Sequence, residues 1–368
     1  MTDPAARAAA LLHLHHDGLE PGDPLRAPIG LSSMFHLPGD PSGLKGYGRG
    51  DNATWEAAEA ALSHLEDAPS VLFPSGMAAI TAGLMAMLKA GDRLILPSDG
   101  YYTTRLLSER VLERFGVEAE MRPTARMAEG GFDGVSLVML ETPSNPGLDL
   151  CDIAGIAAEV HAAGGRVICD NTTMTPLGQR PLDLGADVVV ASDTKAPNGH
   201  SDVLAGHVAT RDAELLERVR DWRKISGAIP GPMDAWLLLR GLETLEVRLS
   251  RMWATAETVA DALAAHPKVE RLVYPTRPDH PQADLAARQM SSGGTLIGLT
   301  LADAETATRF ITGCPYLASA TSFGGVHSSA ERRARWGDEV PGGFVRLSIG
   351  CEPEAALVPA LIEALDRA

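Results

Sequence analysis

Residues 191–200, Ala191-Ser192-Asp193-Thr194-Lys195-Ala196-Pro197-Asn198-Gly199-His200, directly follow the apolar run Val188-Val189-Val190. Three consecutive valines predict a buried β-strand, so Lys195 would lie just beyond the carboxyl end of that strand. Burial near other cations lowers the pKa of a lysine from about 10.4 towards roughly 7 to 8, which frees a neutral amine. Such an amine can attack a carbonyl group. The alternative interpretation is a solvated lysine in a polar loop.

Two hydroxyl residues, Ser192 and Thr194, accompany this lysine and are two positions apart. In an extended segment they would project from the same face and could donate hydrogen bonds together. That arrangement suits a phosphate group that lies near an aldehyde. Pyridoxal 5′-phosphate carries both groups, so this stretch suggests that cofactor.

Length and composition indicate a globular protein. The chain has 368 residues, of which 45% are hydrophobic and 22% charged, which predicts two domains or one large domain with an appendage. No uninterrupted apolar run approaches the roughly 20 residues that cross a bilayer. The first residues also lack the pattern of a secretory signal. We therefore expect a cytoplasmic protein that does not bind membranes.

Charge and cysteine content argue against several classes of protein. The formal net charge is −16, so a nucleic acid backbone or an anionic membrane would be repelled. The four cysteines are widely spaced and form no C-x-x-C pair, which argues against a disulfide framework and against a zinc site. We expect reduced, mostly buried cysteines, no metal and no nucleic acid partner.

Short β-rich runs alternate with helical stretches through the first part of the chain. The predicted strands are residues 71–73, 93–96, 135–140, 167–169 and 188–190. The predicted helices are residues 54–65, with Thr54 as the cap, and then 77–89, 103–115 and 153–163. This alternation predicts an α/β fold with a mostly parallel sheet that helices cover on both faces. Ligands bind such sheets at the carboxyl ends of the strands.

The two ends of the chain have a different character. Residues 1–50 are rich in Pro and Gly with little periodicity, and they predict an extended arm. A Gly and Pro cluster at 227–232 predicts the start of a second domain. The elements predicted there are a long helical run at 233–265, strands at 269–274, 295–301 and 344–349, and helices at 302–312 and 353–366. They would form a small α+β unit that closes the site.

Polar and aromatic residues follow the predicted strands. Gly76, next to Ser75, opens a helix and could bind an anion, although Ser75 could instead be an ordinary helix cap. Tyr101 could stack on a pyridine ring or could simply pack. Asn145 could hold a phenolic oxygen. Asp170, if buried, needs a cation, and a protonated pyridine nitrogen would supply one.

Eight motifs make the chain resemble one known family over about 300 positions, from Tyr47 to Glu352. They are Tyr47-Gly48-Arg49, Ser75-Gly76-Met77-Ala78-Ala79, Asp99-Gly100-Tyr101, Glu141-Thr142-Pro143-Ser144-Asn145-Pro146, Asp170-Asn171-Thr172, Ser192-Asp193-Thr194-Lys195 with Gly199-His200-Ser201-Asp202, Thr321-Ser322-Phe323-Gly324-Gly325 and Val345-Arg346-Leu347-Ser348-Ile349-Gly350. The chain resembles the cysteine and methionine metabolism family of pyridoxal-phosphate enzymes. The resemblance implies the aminotransferase-like fold (fold type I) at residues 51–228, a smaller α+β C-terminal domain at 229–368, and an arm at 1–50 that contacts a neighbouring subunit.

The resemblance also implies a role for each matching residue. Lys195 would bind the cofactor covalently and move protons, Asp170 would pair with the pyridine nitrogen, and Tyr101 would stack on the ring. The other residues implied for the cofactor are Ser75, Gly76, Met77, Ser192 and Thr194, with Tyr47 and Arg49 from a neighbouring subunit. Those implied for the amino-acid substrate are Asn145, Ser322 and Arg346. A homo-oligomer follows, and a dimer of dimers is usual for the family.

Some positions depart from the family pattern and leave the substrate open. Tyr102 and Thr103 stand where a pair of glycines is usual, and a second bulky ring could narrow the pocket. Thr321 precedes Ser322, where glutamate is frequent in cystathionine γ-lyases. The preferred activity is that of a carbon–sulfur lyase, the γ-elimination of cystathionine. The alternatives are cystathionine β-lyase, cystathionine γ-synthase, methionine γ-lyase and a non-catalytic homologue that binds the cofactor.

Overall fold

The computed structural model describes residues 4–16, 18–40, 42–43 and 45–368. The elements of its first half are α1 (Pro4–Leu11), α2 (Ala53–Glu66), β1 (Ser70–Phe73), α3 (Gly76–Met87), β2 (Arg93–Pro97), α4 (Tyr102–Leu107), β3 (Glu118–Arg122), β4 (Leu137–Glu141), α5 (Ile153–Ala162), β5 (Arg166–Asp170), α6 (Thr175–Gly178), β6 (Val188–Ala191) and β7 (Gly206–Thr210). Those of its second half are α7 (Ala213–Ser226), α8 (Pro232–Leu242), α9 (Leu245–Ala264), β8 (Arg271–Val273), α10 (Ala283–Gln289), β9 (Leu296–Thr300), α11 (Ala304–Gly313), β10 (Ala318–Ser319), β11 (Ser329–Arg332), β12 (Phe344–Ser348) and α12 (Glu354–Arg367).

The larger sheet has seven strands in the order β1-β7-β6-β5-β4-β2-β3. Strand β7 runs antiparallel to both of its neighbours, whereas the other pairs are parallel. The predicted mostly parallel α/β sheet is therefore confirmed. Because the carboxyl ends of the parallel strands share one edge, the segments after β2, β4, β5 and β6 come together there.

Alternation along β4 shows why this sheet is covered on both faces. Leu137 and Met139 pack with α3 and α7 on one side, while Val138 and Leu140 pack with α5 on the other. All four side chains are buried. Burial of one such side chain contributes about 1.5 to 3 kcal/mol, so a strand that is apolar on both faces holds the two helical layers firmly.

The smaller sheet has five strands in the order β10-β11-β12-β9-β8. It is antiparallel except for the β10 and β11 pair. One hydrophobic core joins it to the second half of α9 and to α11 and α12. A second core joins α2 to α8 and the first half of α9. The domain boundary predicted between residues 228 and 229 remains a prediction. Helix α8 begins just after this boundary but packs on α2 of the first domain.

The N-terminal segment differs from the predicted extended arm. Residues 4–11 form a helix that packs on α2, where Leu11 is buried and the Arg7 guanidinium donates to the carbonyl of Leu65 over 2.9 Å. Arg7 and Leu11 are four residues apart and therefore lie on the same face of the helix, which explains this packing. From residue 18 to 50 the described segments contain no helix, only an isolated bridge between Met34 and Tyr47. Residues 1–3, 17, 41 and 44 of the predicted arm lie outside the described residues.

Three helices also differ from their predicted bounds. The cap of α2 is Asn52 rather than Thr54, because the Asn52 side chain accepts from the amides of Thr54 and Trp55. The helix predicted at 103–115 is α-helical only in its first part. Helix α4 is followed by a π-helical turn at Ser108–Leu112 and then by a 3-10 turn at Glu113–Phe115. The run predicted at 233–265 is two helices, which separate at Glu243 and Thr244.

The four cysteines are free, and three of them are buried. Within the described ranges, no helix combines the length and apolar character that crossing a bilayer requires. The same ranges contain no group of three or more His, Cys, Asp or Glu side chains that could hold a metal ion.

Candidate active site

A cavity of about 570 Å³ lies between the carboxyl edge of the larger sheet and the smaller sheet. Its volume is in the usual range for small-molecule sites. The residues predicted from sequence that line it are Ser75, Gly76, Met77, Tyr101, Asn145, Asp170, Ser192, Thr194, Lys195, Ser322 and Arg346. Segments from seven different parts of the chain thus converge on one space, and Lys195 lies among them.

Lys195 lies in the turn that follows β6. Its Nζ donates to Ser322 Oγ over 3.0 Å and lies 5.1 Å from the centre of the Phe323 ring. Burial lowers the pKa of Lys195 to about 8, with a further contribution from the positive charge of Arg346, while Asp170 opposes the change. A substantial fraction of the Lys195 amine is therefore neutral near pH 8 and can act as a nucleophile or a base.

The amino end of α3 forms one wall of the cavity. Ser75 caps the helix, since its Oγ accepts from the amide of Ala78 and its carbonyl accepts from the amide of Ala79. The amides of Gly76 and Met77 have no acceptor within the helix and, with the helix dipole, favour an anion. The alternative of a helix cap is therefore observed for Ser75, and the anion site at this helix end stays a prediction.

Gly76 allows α3 to approach the segment after β6 very closely. A Cβ atom at Gly76 would lie 2.6 Å from Ser192 Cβ. The Ser192 amide donates to Thr172 Oγ1 over 2.8 Å, and the Thr194 hydroxyl exchanges hydrogen bonds with the backbone of Ala205. These bonds fix both hydroxyl residues beside the helix end, where a phosphate would be held.

Asp170 ends β5 with its carboxylate buried. Its Oδ1 accepts from the Thr172 amide over 2.9 Å. Among the residues that the structure describes, no Lys, Arg or His forms an ion pair with it. Burial raises the pKa of Asp170, while its bonds to Thr172 and the charges of His207 and Lys195 lower it. A buried carboxylate without a cation at contact distance is expensive unless a ligand supplies the positive group.

Two tyrosines stand at the mouth of the cavity. The Tyr101 amide donates to Glu141 Oε2 over 2.7 Å, which fixes the start of α4. Tyr101 and Tyr102 meet edge to face, with ring centres 5.9 Å apart, and both line the cavity. Tyr102 therefore takes part of the opening, as its bulk led us to expect.

Arg346, on β12, forms the opposite end of the cavity. Its guanidinium donates to Asn145 Oδ1 over 2.5 Å and to the carbonyl of Thr321 over 2.7 Å. Glu331 Oε2 lies 3.6 Å from Arg346 Nη2. Burial lowers the pKa of Arg346 to about 10, helped by the nearby Arg333, so the group stays cationic at neutral pH. Arg346 is only 3% exposed, so it does not belong to a surface ion pair.

Several lining residues were not assigned a role from sequence. They are Ile80, Tyr102, Glu141, Thr172, Thr173, Leu204, Thr321, Phe323, Arg333 and Trp336. Arg333 is buried and bonds Glu331 over 3.0 Å and Asp338 over 2.7 Å. The sequence signal that could have identified Arg333 is the high density of arginine in the run Glu331-Arg332-Arg333-Ala334-Arg335-Trp336.

Tyr47 and Arg49 lie apart from this cavity in a single chain. The Arg49 guanidinium donates to the carbonyl of Lys224 over 2.8 Å and lies 5.5 Å from the centre of the Tyr47 ring. Tyr47 is more than half exposed. Their contribution to the site of a neighbouring subunit stays a prediction.

Asp170 provides the test of whether pyridoxal phosphate fits these residues. Among the described residues its buried carboxylate has no ion-pair partner, and a protonated pyridine nitrogen would be a cationic one. The neutral amine of Lys195 suits the aldehyde, and the amino end of α3 suits the phosphate. The residues present therefore fit the cofactor, and fold and site together define an α/β enzyme that uses pyridoxal phosphate.

Comparison with known proteins gives the family. Residues 14–366 match the Cys/Met metabolism PLP-dependent enzymes, and the chain belongs to this family. A Streptomyces coelicolor protein with the provisional name cystathionine gamma-lyase is 48% identical, over 99% of this chain and 93% of that protein. A cystathionine gamma-synthase of Mycobacterium tuberculosis is 38% identical, over 99% and 97% respectively. The predicted family, cofactor and enzyme class are confirmed.

A solved structure agrees with the fold. The cystathionine gamma synthase of Xanthomonas oryzae pv. oryzae, in complex with aminoacrylate and cysteine, superposes with a TM-score of 0.92. It is 34% identical, and the match covers 98% of each chain. The predicted fold is thus confirmed over the whole length, including the smaller sheet.

Proposed function

We propose that this enzyme is a carbon–sulfur lyase that eliminates the γ-substituent of cystathionine. Cystathionine and one water molecule would yield cysteine, 2-oxobutanoate and ammonia. The relatives support this class, since one bears the name of that lyase and another that of the enzyme that makes cystathionine. The alternatives are β-elimination from cystathionine, γ-replacement to form it, and γ-elimination from methionine.

The observation that carries the proposal is a second guanidinium in the cavity. Arg346 and Arg333 both line it, together with Lys195. Cystathionine has an amino-acid group at each end and hence two carboxylates, whereas methionine and homocysteine have one. Arg346 suits the carboxylate next to the reacting carbon, by a two-bond contact, and Arg333 suits the distant one. Two fixed cations therefore favour a dicarboxylic substrate.

The chain's own residues divide the work around the reacting carbon. When bound, the cofactor withdraws electrons from the α-carbon and so acidifies its C–H bond. In the proposed scheme Lys195 Nζ takes the proton from that carbon, and Ser322 Oγ, 3.0 Å away, orients the amine. Arg346 holds the carboxylate so that this C–H bond faces Nζ. Because sulfur leaves from the γ-carbon, a second proton must leave the β-carbon first.

Product analysis tests the proposal. Cystathionine, homocysteine, cysteine and methionine are offered separately to the purified enzyme, and a further reaction contains an activated homoserine ester with cysteine. We expect 2-oxobutanoate and cysteine from cystathionine at the highest kcat/KM. Pyruvate and homocysteine would instead indicate β-elimination, and cystathionine formed from the ester would indicate the synthase. Either result as the dominant activity overturns the proposal.

The Arg333→Gln variant tests the carrying observation, with Arg335→Gln as the matched control. Both arginines pair with Glu331, but Arg335 does not line the cavity. Loss of a charged hydrogen bond of about 1.5 to 3 kcal/mol should raise KM for cystathionine roughly 10- to 100-fold in Arg333→Gln. The KM for homocysteine should change little in either variant. Equal effects on both substrates would remove Arg333 from substrate recognition.

A non-catalytic homologue that binds the cofactor is the alternative from another class. Arg346 speaks against it, since a binding protein has no need of a buried arginine for substrate. The Lys195→Ala variant separates the two. It should retain cofactor more weakly, lose the covalent attachment that borohydride traps in the wild type, and turn over near background. A wild-type protein that remains colourless and inert with added cofactor would favour the homologue.

We further infer a shared site and a dimer of dimers. The exposed Tyr47 and Arg49 of one subunit would complete the phosphate site of the next, which is supported by their distance from the cavity of their own chain. Closed two-fold symmetry makes such an exchange reciprocal. A cytoplasmic location is supported by four free cysteines, since reduced thiols are typical there.

A further inference from the structure

Three buried ionisable side chains lie together behind the cavity wall. His207 Nδ1 lies 2.9 Å and 3.0 Å from the two carboxylate oxygens of Asp193, and its Nε2 lies 3.2 Å from Glu66 Oε1. Their exposed fractions are 0% for Asp193 and His207 and 2% for Glu66. None of the three lines the cavity, and the proposed reaction uses none of them.

Each member of this cluster belongs to a different element. Glu66 is the last residue of α2, His207 lies in β7, and Asp193 lies in the turn that carries Lys195. The Asp193 side chain is buried and does not line the cavity, whereas its neighbours on either side, Ser192 and Thr194, do.

The surroundings of His207 are otherwise apolar. Leu72 of β1 and Ala191 of β6 are its register partners on the two neighbouring strands, and both are buried. The charged groups that face the imidazole are Asp193 from the turn and Glu66 from α2. At longer range, the charge of His207 lowers the pKa of Asp170 on β5. No water-exposed side is available to solvate the ring.

This arrangement keeps His207 cationic. Burial by itself would lower the pKa of His207, but the charges and hydrogen bonds of Asp193 and Glu66 outweigh burial and raise it to about 10. Both ring N–H groups therefore donate to carboxylates at neutral pH. Charge-assisted bonds of this kind are short and directional, and they fix orientation better than neutral ones.

A buried ionic cluster is a poor way to stabilise a fold. Taking the charges out of water costs about as much as their attraction returns, and apolar residues of similar volume often do as well or better. The cluster instead fixes the orientation of α2 and β7 relative to the turn at residues 193–198 that carries Lys195, here called the lysine turn. On the far side of this turn, the buried Arg248 donates to the carbonyls of Ala196 over 2.6 Å and Pro197 over 3.1 Å. Charged bonds thus hold the turn from both sides.

We propose that Asp193, His207 and Glu66 form a buried positioning triad that holds the lysine turn on the sheet and so sets where Lys195 Nζ lies in the cavity. Asp193 acts directly on the turn, since its own carbonyl accepts from the Asn198 amide over 2.9 Å and its side chain binds the imidazolium. Glu66 acts from behind and holds the imidazolium in place. The proposal concerns the lysine, whatever sulfur compound the enzyme takes.

The test compares two variants, each of which replaces one of the two carboxylates that bind the His207 imidazole. Asp193→Asn breaks the link to the turn, and Glu66→Gln leaves that link in place. Displacement of Nζ by a fraction of an ångström should lower kcat roughly 10- to 100-fold in Asp193→Asn with less than about a threefold change in KM. Because the link between Asp193 and His207 stays in place, Glu66→Gln should lower kcat by a smaller factor, roughly three- to tenfold.

The pH profile separates positioning from loss of stability. With Asp193→Asn the pKa of His207 falls from about 10 towards its ordinary value, so the ring loses its proton as pH rises through the neutral range. We expect kcat of this variant to fall with rising pH between about 6 and 8, where the wild type shows no such limb. Equal losses of kcat in both variants, in proportion to the fall in Tm, would overturn the proposal.

Two further measurements do not depend on the folding of Asp193→Asn. In the cofactor-free wild-type protein, ¹⁵N NMR of His207 should show a doubly protonated ring up to at least about pH 9, and titration near pH 6.5 would overturn the proposal. The triple variant Glu66→Leu, Asp193→Ala and His207→Val removes every charge of the cluster. It should remain folded but lose kcat, and wild-type kcat in this variant would also overturn the proposal.

Discussion

Arg346, which we propose binds the substrate carboxylate, also acts on Lys195 through its charge. Its positive charge is, after burial, the second cause of the lowered pKa of Lys195. Removing that charge in Arg346→Gln should raise the pKa of Lys195 above about 8. In the proposed role of Lys195 its neutral amine attacks the cofactor aldehyde, so the rate at which the cofactor-free protein takes up cofactor should rise with pH through this pKa. The midpoint of that rise, read from absorbance, should move to higher pH in the variant.

The matched variant Arg346→Lys keeps the charge and loses the geometry. A point-charge ammonium cannot make the planar two-bond contact with a carboxylate, so kcat/KM should fall roughly 10- to 100-fold. Cofactor absorbance and the midpoint of cofactor uptake should remain those of the wild type. If kcat/KM does not change, Arg346 does not hold the substrate carboxylate.

At the scale of elements, the contact between α3 and the turn after β6 admits no side chain at Gly76. In Gly76→Ala the new methyl group would lie 2.6 Å from Ser192 Cβ and 2.9 Å from Ser192 Cα. The two elements must separate, at a cost of about 1 to 3 kcal/mol, and the phosphate site must widen with them. We expect weaker cofactor binding by spectroscopic titration and a lower Tm.

Gly342→Ala is the control for this substitution. No atom lies within 4 Å of the position where its Cβ would be, so cofactor affinity and Tm should stay close to those of the wild type. An equal loss of affinity in both variants would show that the close approach at Gly76 has no part in binding.

Strands such as β4 and β6 could be predicted because the sequence patterns that indicate them are local. The valine run before Ser192 and the apolar residues of β4 need no knowledge of distant contacts. Strand β3, with the sequence Glu118-Ala119-Glu120-Met121-Arg122, was missed because an edge strand carries alternating charges rather than apolar residues. Strand β7 was missed because a histidine and a glycine interrupt its pattern.

The site shows the same limit. Residues at the end of a strand or in the turn after it, such as Asp170 and Lys195, could be predicted to lie close together, since the topology of a parallel sheet brings such positions together. Arg333 and the pairing of Asp193 with His207 could not, because each depends on contacts between segments that sequence patterns do not relate. Helix α1 was missed because the Pro and Gly content of residues 1–50 as a whole obscures its short alanine-rich sequence.

At the scale of the whole molecule, the shared site predicts complementation between two inactive variants. Lys195→Ala and Arg49→Ala are mixed under conditions that allow subunits to exchange. A hybrid dimer then has one site with both defects and one with neither, so activity should return to about a quarter of wild type on random pairing. Isotope-labelled subunits and native mass spectrometry verify the exchange. Proven exchange without recovered activity would contradict the shared site.

The crowding of arginines around Glu331 has a consequence for how the enzyme is handled. The buried Glu331 is paired with Arg333, Arg335 and Arg346, and Arg333 is also paired with Asp338, so three guanidinium groups face two carboxylates at this end of the cavity in a chain of net charge −16. Small dianions in the medium should enter the cavity: sulfate and phosphate should inhibit competitively against substrate, while chloride at equal ionic strength should inhibit less. Kinetic constants measured in phosphate buffer would therefore underestimate the affinity of this enzyme for its substrate.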